Sequence, residues 1–228
     1  MQVELVTIGG ELLRGATVNS NAAWLGQELT ERGVTVTRTT VIPDDPDTIA
    51  SIVNEARQRV DAVITTGGLG PTHDDRTMSA IAQARGVELS EHPDAVSWIE
   101  EETEYELDDL APRTLELPVG SRVIPNEVGL APGAVIDRIY VLPGVPDEMK
   151  GMFGQIADEF SGPTSHESIL DIAQPEREIA PLLETIEERF DVLVGSYPGE
   201  TVRVRIVGDD PENVEAATEW LREHVELV

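Results

Sequence analysis

The sequence of 228 residues predicts a three-layer α/β fold, with a mostly parallel sheet and helices on both faces, followed by a small α+β domain. Two patterns support this prediction. Short apolar runs alternate with amphipathic helical segments through residues 1–160, as they do in parallel sheets. Ser161-Gly162-Pro163 then indicates a boundary, beyond which the pattern changes to βαββα. We therefore predict domains at 1–160 and 163–228.

The first half of the larger domain alternates regularly between strands and helices. Asn19 or Asn21 could cap the first long helix, and Gly33 ends it. The predicted order is strand 2–8, this helix, strand 34–42, helix 46–60 and strand 61–66.

The second half is less regular. Acidic residues crowd the segment 100–109, which we interpret as a solvated helix and loop, with a metal-binding patch as the alternative. Strands are expected at 122–124, 134–136 and 139–142. The helix that follows carries an apolar stripe from Met149 to Phe160, and this stripe is expected to pack in the core.

The small domain begins with a strand near 167–172 and an amphipathic helix. Residues 192–195 and 201–207 then predict a hairpin, because valine and isoleucine alternate with Arg203 and Arg205. A last helix from about 211 completes the βαββα order.

The composition is strongly acidic. The chain has 44 acidic and 16 basic residues, a formal charge of −28, and Lys150 is its single lysine. This composition resembles that of proteins from salt-loving archaea, because molar salt screens the repulsion among so many carboxylates. We therefore expect a halophilic protein; an ordinary acidic protein is the alternative.

Several classes of function are disfavoured. The chain has no cysteine, so disulfides and thiolate sites are excluded. It has no basic stripe to bind nucleic acid and no apolar run long enough to span a membrane. It opens on a strand without a basic leader, so we expect a cytoplasmic location.

The most informative motif is the glycine-rich turn at 65–75, between a buried strand and a helix. Gly67, Gly68 and Gly70 let the backbone approach a ligand, and N–H groups at such a turn suit phosphate. The carboxylates of Asp74 and Asp75 would repel phosphate unless a cation lay between them. The turn therefore predicts a phosphate and metal site.

Four more turns follow predicted strands and would share the ligand crevice at the carboxyl edge of the sheet. In the turn at 9–21, Glu11 and Asn19 are equally compatible with capping and with ligand contact. Asp44 could instead cap the helix that begins at Pro46. The turns at 126–133 and 142–149 each combine glycine and proline, and the second could be purely structural.

Together, the motifs at 7–21, 66–75, 126–133 and 142–146 resemble, in order, the N-terminal region of the CinA family, which has a MogA/MoaB-like molybdopterin-binding fold. Residues 163–228 resemble the small α+β domain that follows it in that family. CinA proteins commonly continue into an amidase domain, for which this sequence has no counterpart, so amidase activity is not expected.

The resemblance implies a pocket for a nucleotide or molybdopterin. It implies Asp44 and Asp75 as catalytic residues, and Asp44, Asp74 and Asp75 as ligands of Mg²⁺ or Co²⁺, with K⁺ as a further candidate cofactor. The implied nucleotide- and phosphate-binding residues are Gly9, Gly10, Glu11, Asn19, Gly67, Gly68, Gly70, Thr72, Asn126, Gly133, Pro143 and Gly144. Relatives self-associate, so a homodimer or homotrimer is expected.

Three functions remain open at this point. Some relatives hydrolyse the diphosphate of ADP-ribose or FAD, and we expect such a metal-dependent hydrolase first. A binding module without turnover is the second hypothesis, which Gly10 favours slightly because the family often has Asp there. A molybdopterin adenylyltransferase is the third, and the second domain argues against it because such enzymes usually have a single domain.

Overall fold

A computed structural model of the protein describes residues 1–70, 75–103, 105–111, 113–163 and 166–228. The chain divides into two compact units, Met1–Gly162 and Pro163–Val228. No helix in the described ranges is long and apolar enough to cross a membrane.

The first unit alternates strands and helices along most of its length. Its elements, in chain order, are β1 (Gln2–Ile8), α1 (Gly10–Leu13), α2 (Ser20–Glu31), β2 (Thr35–Ile42), α3 (Pro46–Ala56), β3 (Ala62–Thr66), α4 (Thr77–Arg85), β4 (Leu89–Glu91), α5 (Pro93–Glu102), β5 (Glu116–Pro118), β6 (Arg122–Ile124), β7 (Gly133–Ile136), β8 (Ile139–Leu142) and α6 (Pro146–Ile156).

The main sheet has six strands in the order β2-β1-β3-β8-β7-β6. Strands β2, β1, β3 and β8 are parallel, whereas β7 runs antiparallel to both of its neighbours. Consequently β1, β2, β3, β6 and β8 all end at one edge of the sheet. The register pairs Thr7 with Thr66 and Thr66 with Leu142, which places the turns after β1, β3 and β8 side by side.

Helices cover both faces of this sheet, so the predicted three-layer α/β class is confirmed. Leu5 and Ile64 pack with α2 and α6 on one face, while Val6 and Val63 pack with α3, α4 and α5 on the other. The apolar stripe of α6 lies in the first of these cores, as expected, with Phe153 and Phe160 fully buried.

The acidic segment lies at the end of α5, where Glu100, Glu101 and Glu102 are exposed. Their side chains are solvated, which agrees with the first interpretation of this segment. Among the described residues, no group of three or more His, Cys, Asp or Glu side chains is placed to hold a metal ion.

The second unit has the order βαββα and so confirms the predicted small α+β domain. Its elements are β9 (His166–Ile172), α7 (Glu176–Arg189), β10 (Leu193–Pro198), β11 (Val202–Gly208) and α8 (Pro211–Arg222). The strands form an antiparallel sheet in the order β10-β11-β9. Val204 and Ile206 point into the core, while Arg203 and Arg205 on the opposite face pair with acidic residues of β9.

Candidate functional site

The turns at the carboxyl edge of the main sheet surround a cavity of about 520 Å³. It lies where an open α/β sheet ordinarily binds its ligand. Its lining residues are Ile8, Gly9, Glu11, Asp44, Gly67, Gly68, Leu69, Gly70, Asp75, Thr114, Leu130, Ala131, Pro143, Gly144, Val145 and Glu148. The structure thus brings nine of the predicted site residues to one cavity, including both aspartates proposed for catalysis.

The turn after β3 forms the floor of this cavity. Gly67 and Gly68 have φ angles of 105° and 66°, which side-chain-bearing residues rarely adopt. A β-carbon on Gly67 would lie closer than 3.0 Å to the carbonyl oxygen of Ile8, while the Gly67 N–H donates to Leu142 O at 3.1 Å. The glycines therefore allow the backbone to fit between the ends of β1 and β8.

A buried threonine holds this turn in place through a hydrogen bond to its backbone. The hydroxyl of Thr77, the first residue of α4, donates to the carbonyl oxygen of Gly67 at 2.8 Å. Within the described residues, the N–H groups of Gly68 and Gly70 donate to no acceptor. They are therefore donors at the cavity floor that an anionic ligand can use.

Asp75 lies directly against this floor. A β-carbon on Gly70 would lie 2.6 Å from the Asp75 Oδ2, so the carboxylate rests on the glycine backbone. Thr72 and Asp74, which the sequence also placed in the site, lie outside the described residues.

Asp44 reaches the cavity because its neighbour performs the capping role. Asp45 accepts hydrogen bonds from the Thr48 N–H at 2.9 Å and the Thr48 hydroxyl at 2.6 Å, and so caps α3. These hydrogen bonds hold the pKa of Asp45 below its usual value. Asp44 instead accepts the Gly10 N–H at 2.9 Å, which ties the turn after β2 to the turn after β1.

Glu11 supplies a third carboxylate near the floor. It folds back over Gly9, where a β-carbon would collide with its carboxylate oxygens. Carboxylates suit a hard cation, and Mg²⁺ is commonly held by only one or two of them together with phosphate oxygens. Glu11, Asp44 and Asp75 line the same cavity, but they are not placed as a group of three that could hold a metal ion by itself, so a cation here would also need oxygens of the substrate.

The asparagines of the first turn have structural contacts. Asn19 caps α2 by accepting from the Ala22 N–H at 3.2 Å, and it donates to the Thr7 hydroxyl at 3.2 Å. Asn21 donates to the carbonyl oxygen of Gly144 at 2.8 Å, which fixes the turn after β8 against α2. Asn19 is not among the residues that line the cavity.

Two further predicted site residues, Asn126 and Gly133, do not line the cavity. Asn126 is 1% exposed, and Gly133 lies in β7, where a β-carbon would be 2.6 Å from the Val141 carbonyl oxygen. Gly10, the N-terminal residue of α1, is bonded to Asp44 and does not line the cavity either.

The sequence analysis missed Glu148, which lines the cavity. Asp147 and Glu148 both lie in the first turn of α6, where the helix dipole already accounts for acidic residues. Thr114 was also missed, because it belongs to an irregular segment where no periodicity marks a contact; Leu130 and Ala131 lie in the turn at 126–133 that the sequence predicted for the crevice, although neither was named as a binding residue.

A second cavity of about 570 Å³ adjoins the first. The two share Gly68, Leu69, Gly70, Asp75, Thr114 and Ala131. Arg76 and Arg113 line the second cavity but not the first, and Arg113 pairs with Glu116 at 2.6 Å. The glycine floor therefore has an acidic compartment on one side and an arginine-containing compartment on the other.

Comparisons with known proteins agree with this architecture. Residues 4–161 match a family described as a probable molybdopterin binding domain. Residues 164–227 match a family described as the middle domain of FAD synthase.

Related proteins extend over nearly the whole chain. A protein of Archaeoglobus fulgidus is 34% identical over 225 residues, covering 98% of this chain and 97% of the relative. Protein PF0476 of Pyrococcus furiosus is 38% identical over 242 residues, covering 97% and 96%.

A solved structure matches the first unit. The crystal structure of the protein CinA from Thermoplasma acidophilum aligns with a TM-score of 0.63 and 36% identity, covering 70% of this chain and 97% of that one. This similarity confirms the resemblance to the N-terminal region of CinA. The chain therefore belongs to the molybdopterin-binding-domain family and has a CinA-like first unit.

Proposed function

We propose that this protein is a metal-dependent hydrolase that cleaves the diphosphate of an ADP-ribose-like dinucleotide. One observation carries the proposal: Asp44 and Asp75 line a single cavity whose floor is the glycine backbone at 67–70. Donors that suit phosphate and carboxylates that suit a cation thus meet at one place.

The two adjoining cavities favour a substrate with a group on each side of its diphosphate. Both reach the floor at Gly68 and Gly70, so a diphosphate held there can extend a nucleoside or sugar to either side. The match of residues 164–227 to the FAD synthase middle domain is a further reason to consider dinucleotides.

In the proposed reaction, water adds to one phosphorus and the bridging P–O bond breaks, which yields AMP and ribose 5-phosphate from ADP-ribose. The N–H groups of Gly68 and Gly70 bind the phosphate oxygens, and the Gly10 N–H keeps the Asp44 carboxylate at the rim. Asp75 orients the attacking water and accepts its proton. A bound divalent ion would polarise the phosphoryl group and lower the pKa of water.

The adjacent pair of aspartates permits a matched experiment. Asp44→Asn and Asp75→Asn should each lower the rate of AMP formation from ADP-ribose by ~100-fold, the scale expected for an acid–base or cation-binding group. Asp45→Asn should leave the rate near that of the wild type, because asparagine caps a helix as well as aspartate does.

The measurement is chromatographic detection of AMP in molar KCl with Mg²⁺ or Co²⁺. If Asp75→Asn forms AMP as fast as the wild type, the aspartates have no catalytic role and the proposal fails.

A binding module without turnover is the second candidate, and one observation at Gly10 favours it. A β-carbon there would lie 3.2 Å from Nη1 of Arg14, so a guanidinium stands where relatives often place a carboxylate. Tight binding of ADP-ribose with no AMP formed over hours in high salt would select this candidate.

A further inference from the structure

Within the proposed function, we infer that the Glu148 carboxylate accepts hydrogen bonds from the 2′- and 3′-hydroxyls of the ribose. The site would therefore select ribonucleotides over deoxyribonucleotides. The inference rests on the position of Glu148 in the cavity, the way it is held, and the chemistry of a carboxylate with one oxygen available.

Glu148 and Asp44 lie on turns that are not adjacent along the rim. The helix of Glu148 follows β8, which is three strand positions from β2, the strand that leads to Asp44. Adjacent strands are about 4.8 Å apart, so the two turns are separated by roughly 14 Å. The turns after β1 and β3 therefore lie between those of Asp44 and Glu148, and both side chains line the same cavity.

A ligand that spans this distance has its diphosphate over the glycine floor and its sugar toward α6. The 5′-phosphate and the 2′,3′-hydroxyls lie at opposite ends of a ribose, so a phosphate bound at Gly68 directs the diol away from it. The turn at Pro143 and Gly144 lies between the floor and Glu148, and Gly144 packs against the Gly67 backbone without a side chain of its own.

The protein holds Glu148 in place through Asn126. The Asn126 Nδ2 donates to Glu148 Oε2 at 2.8 Å and to the carbonyl oxygen of Ala131 at 3.0 Å. The Asn126 Oδ1 accepts the Gly129 N–H at 2.8 Å. The buried amide thus uses its oxygen and its nitrogen within the protein, and it acts as a positioning residue for the carboxylate.

The loop also packs closely on the carboxylate. A β-carbon on Gly129 would lie 2.5 Å from both Cδ and Oε1 of Glu148 and 2.8 Å from the Asn126 Nδ2, so one side of Oε1 rests against the Gly129 backbone. Only glycine fits there without moving the pair. This packing fixes the direction of the carboxylate before a ligand arrives. Little further conformational entropy is therefore lost when a ligand binds.

The carboxylate that results suits a diol. In the described part of the chain, Oε1 of Glu148 has no hydrogen-bond partner, whereas Oε2 is held by Asn126. An ionised carboxylate only accepts hydrogen bonds, and hydroxyl groups are donors that it can accept. Other nucleotide-binding folds also recognise ribose through an acidic residue, although their glycine pattern differs.

The position on α6 makes a negative charge tolerable so near a phosphate site. Glu148 lies in the first turn of an 11-residue helix, where the backbone dipole favours an anion. Loss of one hydrogen bond to a charged group costs about 1.5–3 kcal/mol, so a ligand without the 2′-hydroxyl should bind roughly 10- to 100-fold more weakly.

The test compares ADP with 2′-deoxy-ADP, each as the α,β-methylene analogue that cannot be hydrolysed between its phosphates, by titration calorimetry in molar KCl with Mg²⁺. The wild type should bind ADP roughly 10- to 100-fold more tightly than 2′-deoxy-ADP. In Glu148→Gln, the amide oxygen can keep the bond from Asn126, but the –NH₂ group that replaces Oε1 accepts no hydrogen bond. The preference should therefore fall to within about threefold.

Asp147→Asn is the matched control, because Asp147 is the exposed neighbour in the same helical turn and does not line the cavity. It should keep the full preference for ADP. Equal binding of the two nucleotides by the wild type, an unchanged preference in Glu148→Gln, or no binding of ADP at millimolar concentration would each overturn the inference.

This outcome is separable from that of the hydrolase proposal. A protein that prefers ADP through Glu148 but forms no AMP from ADP-ribose would keep the diol site and refute the hydrolase. A protein that forms AMP through Asp44 and Asp75 but binds both nucleotides equally would support the hydrolase and refute the diol site.

Discussion

Gly67→Ala tests the physical basis of the site, which is the close approach of three strand ends. Gly67 has a φ of 105°, and a β-carbon there would lie closer than 3.0 Å to the Ile8 carbonyl oxygen. Gly86→Ala is the matched control, because Gly86 has a φ of 65° but its added β-carbon would have no atom within 4 Å.

The magnitudes follow from these two geometries. A positive φ costs an alanine roughly 1–2 kcal/mol, and both variants incur it. Only Gly67→Ala must also move the end of β1 or the turn itself, and such overpacking costs about 1–3 kcal/mol more. The free energy of unfolding should therefore fall by about 2–5 kcal/mol in Gly67→Ala and by about 1–2 kcal/mol in Gly86→Ala.

Ligand binding should separate the variants further. A displacement of the floor by about 1 Å is expected to weaken ADP binding by at least ~10-fold in Gly67→Ala, whereas Gly86→Ala should bind as the wild type does. Urea unfolding followed by circular dichroism, and calorimetric titration with ADP, provide the two measurements. If the two variants lose equal stability and both bind ADP normally, the turn is not tightly enclosed and the reasoning is refuted.

Three further predictions concern charge. Because the chain carries −28, raising KCl from about 0.1 M to 2 M should raise the midpoint of thermal unfolding by about 10 °C; an unchanged midpoint would contradict charge repulsion as a determinant of stability. Arg59 binds the buried carboxylate of Glu4 through two hydrogen bonds of 2.9 Å and lowers its pKa. The pair should stabilise the fold fully at pH values above the unfolded-state pKa of Glu4, which is about 4.3. This stabilisation should be lost as the pH falls through the lower folded-state pKa. Glu4→Gln should therefore make the free energy of unfolding less dependent on pH in the acidic range. Arg59→Ala should lower the free energy of unfolding in urea at pH 7 by more than Arg85→Ala does, because Arg59 pairs with the buried Glu4 whereas the Asp137 that pairs with Arg85 is half exposed; equal losses would contradict the importance of burial.

The fold was largely predictable because its signals are local. Alternation of apolar runs and amphipathic helices indicates a parallel sheet with helices on both faces, and that arrangement then brings every strand-end turn to one edge. Glycines 67, 68 and 70 could be placed there from the sequence, since a strand and a helix flank them directly.

The roles of individual polar residues were less accessible. Asp44 and Asp45 are adjacent and chemically identical, and either could cap α3. The distinction came from the Gly10 N–H, which is 34 residues away in the chain and meets Asp44 because β1 and β2 are neighbours in the sheet. The positions of Asn126 and Glu148 could not be predicted for the same reason. Asn126 is buried and Glu148 lines the cavity because of contacts between segments that are distant in the sequence.

By itself, the sequence determined the layers of the fold, the turns with glycine, the acidic surface and the resemblance to CinA. Only the tertiary structure decided that Asp45 caps a helix while Asp44 faces the cavity, and that Glu148 lines the wall behind which Asn126 is buried. The reason is physical: helix and strand periodicity reflects interactions between residues a few positions apart, whereas the direction of a rim side chain depends on which strands are neighbours.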